Sequence, residues 1–375
     1  MTTATKERSK ARARPDGIAL AAGQLKAALS TVALAVGRSA NPIYQSVLLG
    51  SGVLTGGDGE MRIDVELENT PPGLNFRLPK DRFAAILGSF SGDSIAFLPG
   101  GESCVITAGH GTWTLPTQAA AEYPAWPESS VKPVARIPAD QFLRAINGVV
   151  FATDNESSRY ALGAVLIEVK GDLVTFVATD GRRLCSVACE HDLAVDDSQT
   201  LVPSRVMAIM ARIASRAGDG AVQIEASRNE IVVTIGLTRI TARLVEGRYP
   251  KWRDVVPARE VTPTVLLRSD LMAATKSAAI CASETSKGVE FVFAANGIWL
   301  HGQSSECGES SVTCEVTKAG QAASVKLDPQ FVVDFLNGIA LDAEPEIEVE
   351  ALDGDSAVVL RCGDHTGVIM PLAKD

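Results

Sequence analysis

The sequence predicts an α+β fold of three repeated domains, each combining helices with antiparallel sheet. Three prolines support this: Pro79, Pro203 and Pro329 each follow an apolar stretch and open a helical pattern, at intervals of 124 and 126 residues. A second motif, Tyr123-Pro124-Ala-Trp126, returns as Tyr249-Pro250-Lys-Trp252. Self-similarity at this period indicates three copies of one domain rather than a solenoid of short units.

Each repeat is predicted to contain two helices. The expected first helices are Ala19–Val36, Ala139–Val150 and Ser269–Ala282, and the second helices are Lys80–Leu87, Ser204–Ala217 and Pro329–Ile339. Leu25, Ala28, Leu29 and Val32 have the spacing of an amphipathic helix. A proline in the first turn costs no hydrogen bond, which explains the recurrent position. We expect Ser269 to cap its helix.

Strand patterns fill the remaining sequence. Residues 173–179 and a second run through Val187 flank Asp180-Gly181, which predicts a hairpin. Similar pairs occur at 231–235 with 240–244 and at 358–362 with 367–370. With linkers near Val131-Lys-Pro133 and Pro257–Pro263, the predicted domains span residues 17–132, 133–258 and 259–375.

The N-terminal segment, residues 1–16, is polar and carries five basic side chains before Pro15. It lacks the apolar stretch of a secretory signal. A disordered basic tail is one interpretation, and a weak electrostatic tether to anionic partners is the other.

Composition limits the class of protein. The chain has 375 residues, 46% hydrophobic and 5% aromatic, with a formal net charge of −10. An acidic balance argues against a uniformly basic nucleic-acid binder, but not against one whose basic residues share one surface. Seven cysteines without a CxxC pair predict reduced thiols and a cytoplasmic location. No apolar run reaches the roughly 18 residues of a membrane span, so no membrane partner is expected.

Motifs for catalysis are missing from the sequence. It contains no phosphate-binding loop, dinucleotide loop, nucleophile elbow or HExxH pattern. Gly56-Gly57-Asp58-Gly59 fits a tight turn. We therefore expect no enzyme activity, no catalytic residue, no cofactor and no metal, and a scaffold or binding role instead. An enzyme of unknown chemistry remains the competing class, although no residue stands out for it.

Basic residues recur on the predicted helices. Arg205, Arg212 and Arg216 fall on one face of the helix at 204–217, and Lys80 and Arg82 lie in the matching helix of the first repeat. One interpretation is that these are ordinary solvated helix faces. If the helices of all repeats face one way, the same residues form a positive lining that contacts phosphates without sequence preference.

Five segments resemble one known family. Ala178-Thr-Asp-Gly-Arg-Arg-Leu184 is similar to the ATDGHRL motif of the bacterial DNA polymerase III beta subunits, the sliding clamps. Gly247–Pro257 resembles their GRFPxxxxxxP segment, Ser158–Leu166 their RYYLNGxL strand and Val368–Leu372 their VMPM ending. Gly37-Arg38 followed by Pro42 matches a loop of the first domain. The resemblance runs in register from about residue 17 to 372.

The resemblance implies a function and its partners. Two chains would close head to tail into a ring that encircles double-stranded DNA and slides on it. DNA polymerase and the clamp loader would bind through short linear peptides. The alternative is a clamp-fold peptide-binding adaptor that does not close into a ring.

The resemblance also implies three sets of site residues. The partner-peptide pocket would contain Leu162, Thr179, Gly181, Arg182, Arg183, Leu184, Pro250, Val255, Phe331, Val368, Met370, Pro371 and Leu372. DNA contacts would come from Arg38, Arg159, Lys80, Arg82, Arg205 and Arg212. The dimer interface would join Trp113 and Leu115 to Ile280 and Cys281. Without the resemblance, the residues of the pocket set have another interpretation: Asp180-Gly181 forms a hairpin turn, and the apolar residues belong to the core.

Two departures from the family pattern fall in or beside the expected pocket. Arg182 stands where histidine is common, and Asp254 stands where arginine is usual, with Arg253 just before it. We therefore expect a divergent clamp whose peptide preference differs from the common one.

Overall fold

The computed structural model describes residues 17–37, 40–127, 130–154, 161–282, 288–340 and 345–373. The basic segment 1–16 lies outside the described residues. Contacts divide the chain into two compact units. The first is Met1–Glu128 with Leu237–Arg239, and the second is Ser129–Gly236 with Ile240–Asp375.

Six helices correspond to the six predicted ones: α1 Ala22–Val32, α2 Lys80–Gly88, α3 Ala139–Val149, α4 Ser204–Ala214, α5 Arg268–Ala278 and α6 Pro329–Gly338. The prediction for α1 was too long at both ends, because Ile18–Ala21 is a strand and residues 33–37 form turns. The prediction for α5 also ran too far, since the helix ends at Ala278 and a 3-10 turn follows. The prediction for α4 was also too long, since residues 215–217 form a turn that ends at Gly218 with φ 60°.

The predicted cap of α5 was wrong. Its N-cap is Leu267, and Ser269 lies inside the first turn, where its Oγ donates to Oδ1 of Asp270 at 2.9 Å. By contrast, Oδ1 of Asp328 accepts a hydrogen bond from the Gln330 amide at 2.9 Å, so α6 has a side-chain cap just before Pro329.

The first unit contains antiparallel sheet packed on two helices. Its strands are β1 Ile18–Ala21, β2 Ser46–Gly50, β3 Val53–Gly57, β4 Met61–Glu66, β5 Asn75–Pro79, β6 Ser94–Gly100, β7 Ser103–Ala108, β8 Gly111–Pro116 and β9 Gln118–Ala119. They pair in the orders β1-β6-β7-β8 and β4-β3-β2-β5-β9. Helix α1 packs against α2, β3 and β4 and buries Leu25 and Leu29.

The remaining strands continue in chain order. They are β10 Lys132–Pro138, β11 Ala164–Lys170, β12 Leu173–Thr179, β13 Arg183–Glu190, β14 Ser198–Pro203, β15 Ala221–Ala226, β16 Glu230–Ile235, β17 Thr238–Arg243, β18 Thr264–Leu267, β19 Val289–Ala294, β20 Gly297–Ser304, β21 Gly308–Cys314, β22 Ala323–Leu327, β23 Glu346–Glu350, β24 Val358–Cys362 and β25 His365–Ile369. In the second unit, β10, β15 and β16 pair in sequence, and β21-β20-β19-β22 form a four-stranded sheet. An eight-stranded sheet has the order β14-β11-β12-β13-β25-β24-β23-β18.

The eight-stranded sheet joins chain segments that are far apart in sequence. Strand β13 pairs with β25 in antiparallel register, with Leu184 opposite Val368 and Val187 opposite His365. Both predicted hairpins that flank this pairing are present, at β12–β13 and β24–β25. The middle of the sheet is therefore built from two distant hairpins.

Helices cover one face of this sheet. Gly148 of α3 approaches Val187 and His365 so closely that a Cβ there would lie 2.6 Å from a Val187 methyl. The Phe335 ring of α6 lies 4.4 Å, centroid to centroid, from the His365 ring. Because strand residues alternate between faces, Leu184 and Val368 point away from these helices.

Candidate functional site

A cavity of about 650 Å³ opens on the face of the sheet to which Leu184 and Val368 point. Its lining lies within the second unit and consists of Leu162, Thr179, Gly181, Arg182, Arg183, Leu184, Arg248, Tyr249, Pro250, Lys251, Trp252, Val255, Val368 and Met370. Ten of the thirteen residues predicted for the peptide pocket are in this set. The structure therefore brings together segments around 162, 179–184, 248–255 and 368–370.

The floor of the cavity is apolar. Leu184 and Val368 belong to a buried cluster with Leu166, Val177 and Val359. Apolar side chains on a sheet face remain exposed unless another segment covers them, and here residues 249–256 do so in part.

Tyr249 fixes that covering segment to the sheet. Its hydroxyl donates to the Val177 carbonyl at 3.1 Å, and burial raises the pKa of the Tyr249 phenol. The phenol therefore stays neutral and remains a hydrogen-bond donor over the physiological pH range.

The mouth of the cavity exposes two large apolar side chains. Val255 and Met370 are each 42% exposed. Side chains of this kind at the entrance of an apolar cavity are typical of a site that buries apolar groups of a ligand.

The turn between β12 and β13 forms one rim. Oδ1 of Asp180 accepts from the amides of Arg182 and Arg183, each at 2.9 Å. Thr179 Oγ1 donates to the Arg183 carbonyl at 2.6 Å and accepts from the Gly181 amide at 3.1 Å. Gly181 has φ 87°, a left-handed conformation that favours glycine. The ATDGRRL motif thus specifies a hairpin turn of fixed shape.

Arg183 is held from several directions. Its Nε donates to Oδ2 of Asp180 at 3.0 Å, its Nη1 to Oδ2 of Asp334 at 2.6 Å and its Nη2 to the Phe151 carbonyl at 2.7 Å. The guanidinium also lies 4.4 Å from the ring centroid of Phe331. The side chain is 11% exposed, so Arg183 supports the wall of the cavity rather than offering a free charge.

Three predicted pocket residues are not among those that line the cavity: Phe331, Pro371 and Leu372. Phe331 packs under Arg183, which places it behind the wall. Beyond Met370, whose amide donates to the Arg182 carbonyl, the chain turns toward β22, and the Leu372 amide donates to the Lys326 carbonyl at 2.8 Å. The chain therefore leaves the cavity after residue 370.

Four lining residues are absent from the predicted set: Arg248, Tyr249, Lys251 and Trp252. The signal for two of them was in the sequence, because Tyr-Pro-x-Trp occurs twice at the repeat interval. The repeat was interpreted as evidence for domain copies, and its aromatic residues were not assigned to the pocket.

Arg253 and Asp254 lie at a neighbouring cavity of about 520 Å³. The Arg253 guanidinium pairs with Glu168 and stacks 4.3 Å from the ring centroid of Trp252. Glu168 also accepts from Nε2 of Gln199 at 2.7 Å. Arg253 therefore anchors the 248–254 segment to β11, and Asp254 is exposed beside it.

Four of the predicted DNA-contacting residues lie on two helices, α4 and α2. On α4, Arg212 is exposed and Arg205 is half-buried, while Met207 and Met210 are buried on the other side. On α2, Arg82 is exposed and Lys80 pairs with Asp81 at 3.0 Å. Arg38 and Arg159 lie outside the described residues.

The predicted interface residues differ in exposure. Ile280 is 75% exposed, which is unusual for a large apolar side chain, and Cys281 next to it is half-buried. In the first unit, Trp113 is half-buried and Leu115 is 7% exposed, so Leu115 packs into its own unit. Both Trp113 and Leu115 belong to β8, the last strand of its sheet.

Within the residues that the structure describes, no group of three or more His, Cys, Asp or Glu could hold a metal ion. In the same residues, no helix is both long and apolar enough to span a membrane. Behind the cavity, burial raises the pKa of the Cys185 thiol, which keeps it protonated at neutral pH.

Comparison with known proteins shows which family the chain resembles. The model for the central domain of the DNA polymerase III beta subunit matches residues 136–251. The beta sliding clamp of Haemophilus influenzae is 25% identical over 343 residues, which cover 88% of this chain and 92% of that protein. The chain is thus similar to DNA polymerase III beta subunits over most of its length, and residues 136–251 match the central domain of that family.

Other relatives extend the similarity. The beta sliding clamp of Escherichia coli strain K12 is 26% identical over 310 residues, covering 81% of this chain and 84% of that protein. A Pseudomonas aeruginosa sliding clamp bound to griselimycin matches with a TM-score of 0.87 at 24% identity, over 96% of this chain and 100% of that one. A Bacillus subtilis sliding clamp gives a TM-score of 0.87 at 18% identity, over 96% and 99%. These matches confirm the predicted resemblance to this family and the predicted fold of helices with antiparallel sheets.

Proposed function

We propose that this chain is a DNA sliding clamp, a processivity factor that encircles duplex DNA and tethers the replicative polymerase and other partners. One observation carries the proposal: the similarity to proteins named beta sliding clamps extends over almost the whole chain, at the level of sequence and of fold. The presence of the cavity at the positions of the family's pocket motifs supports it.

In this proposal two copies close head to tail into a ring. Strand β8 ends one sheet of the first unit and β21 ends one sheet of the second, so each offers a strand edge that a partner copy could pair with. The exposed Ile280 follows α5, which packs against β21. Burial of its side chain at the contact would remove apolar surface from water.

The ring would hold DNA by enclosure, with weak contacts to phosphates. Arg205 and Arg212 on α4 and Lys80 and Arg82 on α2 are the described residues assigned to these contacts, together with Arg38 and Arg159. Such contacts carry no base information and weaken as salt rises, so the ring can slide.

Partners would bind by inserting a short peptide into the cavity beside β13 and β25. The polymerase and the clamp loader are the proposed partners. Tethering one partner to a ring that stays on DNA raises its effective concentration at the template, which is the physical basis of processivity.

The proposed role requires no catalytic group, and the cytoplasm is its proposed location. The alternative, a clamp-fold adaptor that does not close into a ring, is not favoured by the relatives, which are named beta sliding clamps and match over 92% and 84% of their own length.

Retention on circular DNA tests the proposal. The purified chain is loaded onto nicked circular DNA with a bacterial clamp loader and separated from free protein by gel filtration at 0.5 M salt. We expect the protein to elute with the circle and to be released when a restriction enzyme linearises the DNA. Equal retention on circular and linear DNA, or none on either, would contradict enclosure.

A further inference from the structure

We propose that the peptide partners of this cavity carry acidic residues beside their apolar anchors, and that Arg182, Arg248 and Lys251 select them. The inference rests on the proposed function of the same site. It begins with the lining itself, which contains four cationic side chains and no carboxylate.

One of the four cations is neutralised within the protein. Arg183 is paired with Asp180 and Asp334, and its third donor is used by the Phe151 carbonyl. Both of these carboxylates are therefore paired with Arg183.

The other three cations are exposed at the rim. Arg182, Arg248 and Lys251 are all exposed, and no carboxylate of the described residues lies within ion-pair distance of them. Arg182 lies 5.9 Å from the Phe331 ring centroid, which leaves its guanidinium edge open to a ligand. Asp254 lines the neighbouring cavity, which shares residues 248–252 with this one, and is not among the residues that line this cavity.

The rim is positively charged, although the chain as a whole has a negative net charge. The protein has 45 acidic and 35 basic residues, so a surface patch would on average be negative. A rim with three cations that no described carboxylate neutralises would raise the local concentration of anionic ligands.

The apolar floor favours a peptide over a nucleic acid as the occupant. Leu184 and Val368 form the floor, and Val255 and Met370 extend it to the mouth. A peptide can place apolar side chains on this floor and carboxylates at the rim, whereas a phosphate backbone offers only the anionic part.

The expected effect follows from the exposure of the rim. An exposed ion pair changes an equilibrium constant by roughly two- to five-fold, and less as salt rises. Three such pairs acting together predict an effect on the order of ten-fold at low salt.

A selection experiment identifies suitable peptides without assuming their sequence. A random 12-residue display library is selected on the full-length protein, and the best peptide is synthesised together with a version in which Asp and Glu become Asn and Gln. Binding of both is measured by fluorescence anisotropy at 50 mM and 500 mM salt. We expect acidic peptides with apolar residues to be enriched, and the amide version to bind about ten-fold more weakly at 50 mM salt.

Substitutions at the rim test whether these three cations cause the difference in affinity between the acidic peptide and its amide version. In the triple variant R182Q/R248Q/K251Q, the difference between the two peptides should fall to within two-fold. The matched triple variant K132Q/K170Q/K318Q removes three exposed lysines outside the cavity and should keep the full difference. Neutral or basic selected peptides, or an unchanged difference in the rim variant, would overturn the inference.

Two further arms separate this inference from the proposed function. Met370→Glu should abolish binding of the selected peptides; if binding persists, the peptides bind elsewhere and the assignment of the pocket itself fails. Pocket-dependent peptides without acidic residues contradict only the present inference. A labelled 12-nucleotide single strand that outcompetes the peptides would also overturn it, in favour of nucleic acid as the occupant.

Discussion

Arg183 Nη1 donates to Oδ2 of Asp334 at 2.6 Å, joining β13 to α6 across 151 positions of the chain. The same guanidinium holds the Phe151 carbonyl, which follows α3. One side chain thus connects the turn at the cavity rim to α6 and to the short turn that follows α3. The shape of the rim and the packing of these elements are coupled through it.

Removing this connection should destabilise the second unit. Arg183→Gln leaves Asp180 and Asp334 without their partner in a mostly buried setting, and we expect a loss of about 2 kcal/mol in the free energy of unfolding. Urea unfolding followed by circular dichroism measures it. Arg182→Gln, at the exposed neighbouring position, is the matched control and should stay within about 0.5 kcal/mol of the parent. Equal effects of the two substitutions would refute the bridging role.

The turn glycine gives a second prediction. Gly181 has φ 87°, so Gly181→Ala should cost about 1 kcal/mol through backbone strain, although its Cβ would meet no atom within 4 Å. Gly23→Ala is the control, because Gly23 lies in α1 with equal space around it and no positive φ. That change should be stabilising by up to about 1 kcal/mol. Thermal unfolding of both variants would show opposite shifts, and shifts of the same sign would contradict the argument.

His365 predicts how stability depends on pH. Its Nε2 donates to the Gly148 carbonyl at 2.8 Å, and burial lowers the pKa of His365 from 6.5 to about 4, with Arg144 adding to the effect. Between these two pH values the unfolded chain binds a proton that the folded chain does not. Stability contributed by the neutral ring is therefore complete above pH 6.5 and falls, by about 3 kcal/mol in total, as the pH drops toward 4.

The measurement is the urea midpoint at pH 7.5, 6 and 5. In His365→Gln the fall in this range should be smaller, because the titrating group is gone. The exposed His301 serves as a control, and His301→Gln should retain the full dependence. If the urea midpoint of the parent protein stays constant as the pH is lowered from 6.5 to 5, the argument from a lowered His365 pKa is wrong.

The proposed ring gives a fourth prediction. A 75% exposed isoleucine is expected at a protein contact, so Ile280→Asp should convert a dimer of twice 39.4 kDa into a 39.4 kDa monomer in light scattering. Leu173→Asp alters another exposed apolar residue, 45% exposed at the start of β12, and should leave the mass unchanged. A parent chain that is monomeric at micromolar concentration would favour the adaptor alternative.

Local patterns were sufficient to predict the helices and several hairpins. Recurrent prolines and apolar spacing act within one turn or one strand, so α2 and α6 were predicted to within a residue or two. The ends of α1 and α4 depend on competing structure: Ile18–Ala21 joins β6 as a strand, and Gly218 stops the other helix in a turn. The first is a contact between distant parts of the chain, and the second is a backbone angle at one glycine. Apolar periodicity encodes neither of them.

The pocket residues were predicted from family motifs. The residues that were wrongly assigned or missed have a physical explanation. Motifs mark positions along the chain, but whether a side chain faces the cavity depends on strand alternation and on neighbours. Phe331 matches a family position yet lies behind Arg183, while Lys251 and Trp252 line the cavity because Arg253 fixes their segment to Glu168. No sequence pattern places that ion pair.

The pairing of β13 with β25 has a consequence during synthesis. The floor of the cavity needs Leu184 and Val368 side by side, and the ribosome makes the second of these more than 180 residues after the first. Nascent or truncated chains that stop before β24 would hold only half of this floor. If the cavity is the proposed peptide site, unfinished chains would not compete with completed ones for its partners.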